Sequence, residues 1–483
     1  MAFRDASKFL LYRWRYVIGY SIIGLLLVGL LIFVGLYVPG GISPEEMRAV
    51  IRTNEVALTD PATWAVPSLP FYLLQKFIFT VFGVYDFTIK LPSLIIAFFV
   101  AIGLIMLLRR WFKPNIAVLA SLIAITTGQF LFVAQNGIPG VAYMFWPVAI
   151  LLLGTQVTRV KKFRFLWKIL FTLAVALSLY NPLSIYPVLA IAIATVLHPH
   201  LRNIVRRLSK WKLAVCAAVF LVAITPLVYS LIRTPELGLS LLGLPTSLTL
   251  QPSVWPPDIL ANLQTILNQY FLFWQPSNSS LMTPVFGLGS VLLIGLGLIR
   301  MIRTRDTTRS YLIITWIICL IPILIINPRF TSVVFIPAVL LLAGGLTSLI
   351  DYWYRLFPLN PYARIAGLAP LIILVTVLIG SGLDRFVYGY QYDPNTAVNF
   401  SQNLKLLPKD TTRLVVSDEE LPFYQAVASY RPSLQVYSGA NGDQFVATRD
   451  AKKNYKGYEI ERIITTTYAE DADRLYIYKK TAQ

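Results

Sequence analysis

The chain of 483 residues is 56% hydrophobic and only 13% charged, with a mean hydropathy of +0.65. A soluble domain carries about 25% charged residues, so a single soluble globule is excluded and the apolar runs need a bilayer as solvent. A net charge of +19 would suggest nucleic acid in a soluble protein; here most Lys and Arg sit in short loops between apolar runs, where membrane topology accounts for them and nucleic-acid binding is set aside.

The first apolar run follows Arg4, Lys8, Arg13 and Arg15 and shows no small-residue cleavage site before Pro39. It reads as a retained span over 16–38. Further spans fall at 91–108, 115–135, 141–158, 166–181, 183–198, 212–232, 284–302, 310–327, 330–350 and 365–383, about eleven in all at roughly 20 residues per crossing. Cys216 and Cys319 both lie inside spans, so no disulfide framework is implied.

Placing the N-terminus in the cytoplasm puts every strongly basic loop on that side. These are the loops with Arg109, Arg110 and Lys113; with Arg159, Lys161, Lys162, Arg164 and Lys168; with Arg202, Arg206, Arg207, Lys210 and Lys212; and with Arg300, Arg303, Arg305 and Arg309. This rule decides one ambiguous segment. Leu69–Phe82 is apolar enough for a span, but a crossing there would turn all later basic loops outward. It is also short and interrupted by Lys76, so Pro70–Phe82 is expected as a helix along the outer leaflet. Residues 39–90, 233–283 and 384–483 are then extracytoplasmic.

The first outer segment opens with Gly40-Gly41-Ile42-Ser43-Pro44-Glu45-Glu46. Ser43 suits a helix N-cap and Pro44 the first helical position, and acidic residues favour a first turn. The same two carboxylates are also the candidate for chemistry at the outer surface. The second outer segment carries Trp255-Pro256-Pro257-Asp258 and Tyr270-Phe271-Leu272-Phe273-Trp274, read first as an interfacial aromatic belt and otherwise as a groove for a lipid chain or a sugar ring. Near Asp384 the character changes. Helices are expected at 395–407 and 421–430, and strands at 413–417, 433–438, 458–466 and 474–479. The fold class is therefore mainly α: a polytopic helical bundle over 1–383, with juxtamembrane helices in its outer loops, followed by a small α/β domain over 384–483. That domain shows no metal-ligand spacing, phosphate loop or nucleophile elbow.

Three segments carry a family resemblance. Ser43-Pro44-Glu45-Glu46 follows the first span. Pro67-Ser68-Leu69-Pro70-Phe71-Tyr72-Leu73-Leu74 comes next, and Phe82-Gly83-Val84-Tyr85-Asp86-Phe87-Thr88-Ile89-Lys90-Leu91-Pro92-Ser93 leads into the second span, which closes on Arg109-Arg110-Trp111-Phe112. In order and spacing, the stretch from Gly40 to Gly154 resembles the polyprenyl-phosphate-dependent membrane glycosyltransferases of the GT-C superfamily. The nearest branch holds the protein O-mannosyltransferases and lipid A aminoarabinose transferases. The resemblance implies transfer of a sugar from a polyprenyl-phosphate donor to a lipid, glycan or protein acceptor on the outer face of the plasma membrane, in contact with membrane lipids. It places Glu45 at the family's Asp, which acts as general base or metal ligand, and Glu46 at the adjacent Glu. It makes Lys90, Arg329, Tyr72 and Ser68 candidate substrate-binding residues, with Arg48, Arg52 and Lys76 behind them.

The chain also departs from the pattern. Ser68 stands where relatives often carry Lys or His. Ala134-Gln135-Asn136-Gly137-Ile138-Pro139-Gly140 stands where relatives show a Ser-Arg-x-x-Arg-Pro-Asp pattern. Without a second acidic group there, a divalent-metal site built from two carboxylates is not supported. Three readings stay open: a metal-independent or otherwise compensated transferase, a degenerate relative that binds lipid-linked glycans, and a lipid or glycan transporter. The last is disfavoured by spans that are nearly free of charge in their middles.

Overall fold

The computed structural model describes residues 21, 24–34, 42–159, 163–206, 209–244, 255–270, 286–327, 332–356, 362, 366, 368–390, 403–408, 410–465 and 474–481. The expected bundle forms, and the chain is a multi-pass membrane protein. In chain order the helices up to the first long crossing are α1 (Gly24–Val34), α2 (Pro44–Glu55), α3 (Leu69–Phe82) and α4 (Asp86–Trp111). Then come α5 (Pro114–Ile125), α6 (Gly128–Gln135), α7 (Ala142–Arg159), α8 (Arg164–Ser178), α9 (Ile185–Leu197), α10 (Pro199–Arg206), α11 (Lys210–Arg233) and α12 (Pro235–Leu242). The bundle ends with α13 (Trp255–Tyr270), α14 (Leu288–Arg303), α15 (Thr308–Ile326), α16 (Phe335–Leu356) and α17 (Leu368–Asp384).

Among the described residues, six helical segments are long and apolar enough to cross alone, with α5 and α6 adding one broken crossing. Others, including α8 and α9, are shorter. The expected span 115–135 is thus corrected to two helices bent by 60°. Thr126 and Thr127 sit at the break, and their hydroxyls donate back to the carbonyls of Leu122 (2.8 Å) and Ala124 (2.7 Å). Thr127 Oγ1 then accepts from Phe130 N and caps α6. Side chains that compete for helical carbonyls bend a helix in this way. Elsewhere the helices close on small residues. A Cβ on Gly297 would stand 1.8 Å from the Leu341 carbonyl oxygen, and one on Gly345 1.9 Å from that of Leu293. Helices α14 and α16 therefore meet backbone to backbone, which is how apolar helices associate where lipid removes the hydrophobic drive.

The basic loops gather at one end of the bundle. Arg159 Nη1 donates to the Arg110 carbonyl (2.6 Å), Arg309 Nη1 donates to that of Trp111, and Lys113 and Arg300 share Asp351 at 3.0 and 3.1 Å. The other end carries a five-stranded sheet of order β2-β1-β3-β5-β4, made of Arg413–Val415 (β1), Gln435–Tyr437 (β2), Gln444–Thr448 (β3), Tyr458–Thr465 (β4) and Arg474–Lys480 (β5). Strands β2, β1 and β3 run parallel and β5 is antiparallel to both β3 and β4. β3 was absent from the sequence expectation; all but its first residue are buried, so the run lacks the alternation that marks a half-exposed strand. Of the helix expected over 395–407, Asn403–Leu406 is described; residues 391–402 lie outside the described residues.

The sheet does not stand apart. The Leu421–Ser429 helix packs on α2, Ser429 Oγ donates to Asn54 Oδ1 (3.0 Å), and the Phe79 and Tyr430 rings meet edge to face at 5.6 Å. One apolar cluster holds Ile42, Val50, Phe79 and Ile89 together with Leu414, Phe423 and Val427.

Candidate active site at the sheet end

The site is built on the loop between α1 and α4. Ser43 caps α2 with its side chain: Ser43 Oγ accepts from Glu46 N (3.1 Å), and Ser43 N donates to Glu46 Oε2 (2.7 Å). This reciprocal pair is a capping box. The other carboxylate oxygen, Glu46 Oε1, accepts from Lys90 Nζ at 2.9 Å and from Gly137 N at 2.6 Å. Glu46 and Lys90 are 0% and 1% exposed. Glu46 thus ties together the α2 cap, the first turns of α4 and the end of α6, and both its oxygens are engaged. Lys90, expected as a phosphate contact, is buried in this ion pair.

Glu45, the neighbouring residue on α2, is exposed and makes no ion pair among the described residues. Of two adjacent carboxylates one is buried and bonded and the other is exposed. The local geometry follows from the sequence: Pro44 sets the first helical turn after Ser43, successive residues point about 100° apart around an α-helix, and the capping box commits Glu46 inward, leaving Glu45 on the open side.

The remaining candidates divide similarly. Ser68 is buried with φ of +63°, donates its hydroxyl to Asn181 Oδ1 (2.7 Å), and its N–H bonds the Tyr180 carbonyl (2.7 Å). Tyr180 in turn bonds Ala223 and Leu227 through its hydroxyl. The Tyr180-Asn181-Pro182 hairpin, which reads from sequence as a plain turn, is therefore the anchor of the first loop. Since Ser68 meets this hairpin and Gly83 leads straight into α4, α3 begins and ends at the sheet end and does not cross the bundle. Tyr72 is buried on α3, and burial raises its pKa while the neighbouring Arg52 charge partly opposes the rise. Lys76 Nζ donates to the carbonyls of Asn54 and Val56 and closes the C-terminus of α2. Arg48 Nε donates to the Pro44 carbonyl (3.3 Å) and the residue is exposed, as is Arg52. Arg329 lies outside the described residues.

Sequence reasoning missed Gln75. It is fully buried, its Oε1 accepts from Thr53 Oγ1 (2.6 Å), and its Nε2 donates to the carbonyls of Ile89 (3.1 Å) and Gly137 (3.2 Å). A glutamine within the apolar run 69–82 was the available signal, since a buried amide needs partners on both ends. Gln135 is buried with neither amide atom bonded, and Asn136 Oδ1 is likewise unpaired. No group of three His, Cys, Asp or Glu able to hold a metal occurs among the described residues. With Glu46 committed to Lys90, the donors near Glu45 among the described residues do not fit a resident divalent ion.

Residues 66–229 match the family described as dolichyl-phosphate-mannose-protein mannosyltransferase. Among solved structures, the chain is similar to ArnT from Cupriavidus metallidurans bound to undecaprenyl phosphate, with a TM-score of 0.54 at 15% identity, covering 95% of this chain and 98% of that one. The fold is shared with ArnT. The apo form of the same ArnT gives a TM-score of 0.53 at 15% identity over 96% and 98% of the two chains. The Archaeoglobus fulgidus oligosaccharyltransferase tethered to an acceptor peptide gives 0.50 at 14% identity, over 86% of this chain and 64% of that one. No curated protein matches the sequence. The expected GT-C resemblance and the mainly helical fold with a small terminal sheet both hold.

Proposed function

We propose that the chain is an integral membrane glycosyltransferase that moves a sugar from a polyprenyl-phosphate donor to an acceptor hydroxyl on the extracytoplasmic face, with the N-terminus in the cytoplasm and the residues after 383 forming an outer domain over the site. The observation that carries this reading is the division of labour between adjacent carboxylates: Glu46 is fully bonded while Glu45 is exposed on the same helix turn, at the sheet end of a GT-C fold. Glu45 takes the proton from the acceptor hydroxyl. The oxygen attacks the anomeric carbon, the bond from that carbon to the carrier phosphate oxygen breaks, and the phosphate leaves with the electron pair, inverting the centre.

Arg52, whose charge acts on Tyr72, and Arg329 are the proposed phosphate partners, which stabilise the departing anion. Lys90 acts indirectly by fixing Glu46, and Ser68 by fixing the loop. The test is a glycan comparison in the source cell. After deletion of the gene, a membrane glycolipid or glycoprotein form should disappear by mass spectrometry, and the missing mass identifies the sugar. An unchanged profile rejects transfer as the task.

A second reading has one observation in its favour. The unpaired amide of Gln135 and the free Asn136 Oδ1 suit a relative that binds a lipid-linked glycan without turning it over. Sugar transfer by the purified protein would exclude it.

A further inference from the structure

At the basic end, on the opposite side of the bundle from Glu45, the helices leave a cavity of about 520 Å³. Its walls are part apolar, with Leu151, Phe171 and Ile191 among them, and part threonine hydroxyl, and three basic side chains line it: Arg159 from α7, His200 from α10 and Arg309 from α15. Among the described residues no Asp or Glu lines it. The arginines are held but not neutralised. Each gives one N–H to the exposed carbonyls that end α4, on Arg110 and Trp111, and Arg309 also lies over the Phe112 ring at 4.6 Å. Arg309 Nε is buried without a hydrogen-bond partner. Of the carboxylates at this end, Asp351 is already shared by Lys113 and Arg300, and Asp306, next to Thr307, is exposed and forms no ion pair among the described residues. Among the described residues neither Arg159 nor Arg309 has an acidic partner.

We infer that this cavity is a binding site for an anionic phospholipid, with the headgroup phosphate between Arg159, Arg309 and His200 and an acyl chain against the apolar wall. Guanidinium groups pre-held at fixed positions suit a phosphate because its oxygens accept several N–H bonds at once. A cavity of this size lies within the range that encloses a small ligand, and burial of acyl methylenes against the apolar wall adds to the attraction of the charges. A phospholipid is favoured over the polyprenyl carrier because the proposed base lies at the other end of the bundle, where a sugar bound here could not reach it. Basic residues at a membrane surface also draw anionic lipids to it.

Trp111 lines the same cavity, which supplies a reporter. The full-length protein would be placed in nanodiscs of phosphatidylcholine doped with bromine-labelled phosphatidylglycerol or, separately, bromine-labelled phosphatidylcholine, and its tryptophan fluorescence followed. Stronger quenching by the anionic lipid is expected, with the excess absent in Trp111→Phe and the preference about thirtyfold weaker in an Arg159→Gln/Arg309→Gln double variant, which loses two basic contacts. Equal quenching by the two lipids in the wild-type protein overturns the proposal without recourse to any variant, as does an excess that survives the double substitution. Displacement of the labelled lipid by polyprenyl phosphate at a lower mole fraction than unlabelled phosphatidylglycerol would assign the cavity to the carrier and likewise overturn it. Displacement by millimolar inorganic phosphate alone would make it a simple anion site and reject the acyl-chain contribution. None of these readouts depends on sugar transfer, so the lipid site and the proposed enzyme activity stand or fall separately.

Discussion

Glu45 and Glu46 are adjacent, chemically identical and differently employed. Removing one partner of a buried ion pair typically costs about 3–5 kcal/mol because a charge is stranded. Glu46→Gln and Lys90→Met are each expected to lower stability on that scale, and the double variant should recover much of the loss; denaturant melts of all three proteins in the same detergent check this, and additive losses would show that the two side chains are not coupled. Glu45→Gln, on an exposed side chain, should leave the melt within about 0.5 kcal/mol of wild type. Half of this pattern is legible in the sequence. Ser43 followed three residues later by Glu46 is a capping-box signature, and it already commits Glu46 to its own helix. Its other partner, Lys90, is 44 positions away, and its third, the Gly137 N–H, is a backbone group that carries no residue-type signal at all.

Where the end of α6 crosses the start of α4, Gly137 decides how closely they approach. A Cβ there would stand 2.6 Å from the Ile89 carbonyl oxygen, so Gly137→Ala should push the segments apart, cost about 1–3 kcal/mol as an overpacked site, and weaken the N–H bond to Glu46. The same Cβ would meet Ile89 Cγ2 at 2.6 Å, so Ile89→Ala should recover part of the loss; full recovery would be inconsistent with a backbone clash, since the carbonyl remains. In the terminal sheet, burial raises the hydroxyl pKa of Tyr455 and Tyr478, with each neighbouring tyrosine adding to the rise. Their neutral forms are therefore favoured by folding: this contribution is complete below the ordinary tyrosine value of 10.0 and is lost as pH climbs above it toward the raised folded value. Loosening of the sheet should accordingly begin only above about pH 10, followed by near-ultraviolet circular dichroism. Loss of the signal well below that value would mean that other groups control it. Long apolar helices such as α4 and α7 are read almost directly from hydropathy. The break at Thr126-Thr127 and strand β3 are not, because the first depends on hydroxyls choosing their own backbone and the second is buried without alternation.

Across the whole molecule the side of every basic loop depends on α3: if it crossed, each of those loops would change sides. Contacts from both of its ends to the sheet end agree with a helix that does not cross, and the basic loops do collect at the other end. The proposed orientation makes a labelling prediction. In a background lacking Cys216 and Cys319, Gly439→Cys in the terminal domain should react with a membrane-impermeant maleimide on intact cells, whereas Arg303→Cys should react only after lysis; the reverse pattern would invert the assignment. The docking of the sheet on α2 and α3 was not legible, since it rests on surface complementarity between segments almost 400 residues apart.

The account turns on Glu45, and the most direct measurement is release of polyprenyl phosphate by the purified protein supplied with a membrane lipid extract from its own cell, comparing wild type, Glu45→Asp and Glu45→Gln. Loss of a general base lowers rates by about 10²–10⁴. The account predicts that Glu45→Gln falls by that factor with an unchanged melt, and that Glu45→Asp retains part of the rate. Release by Glu45→Gln at the wild-type rate would contradict it.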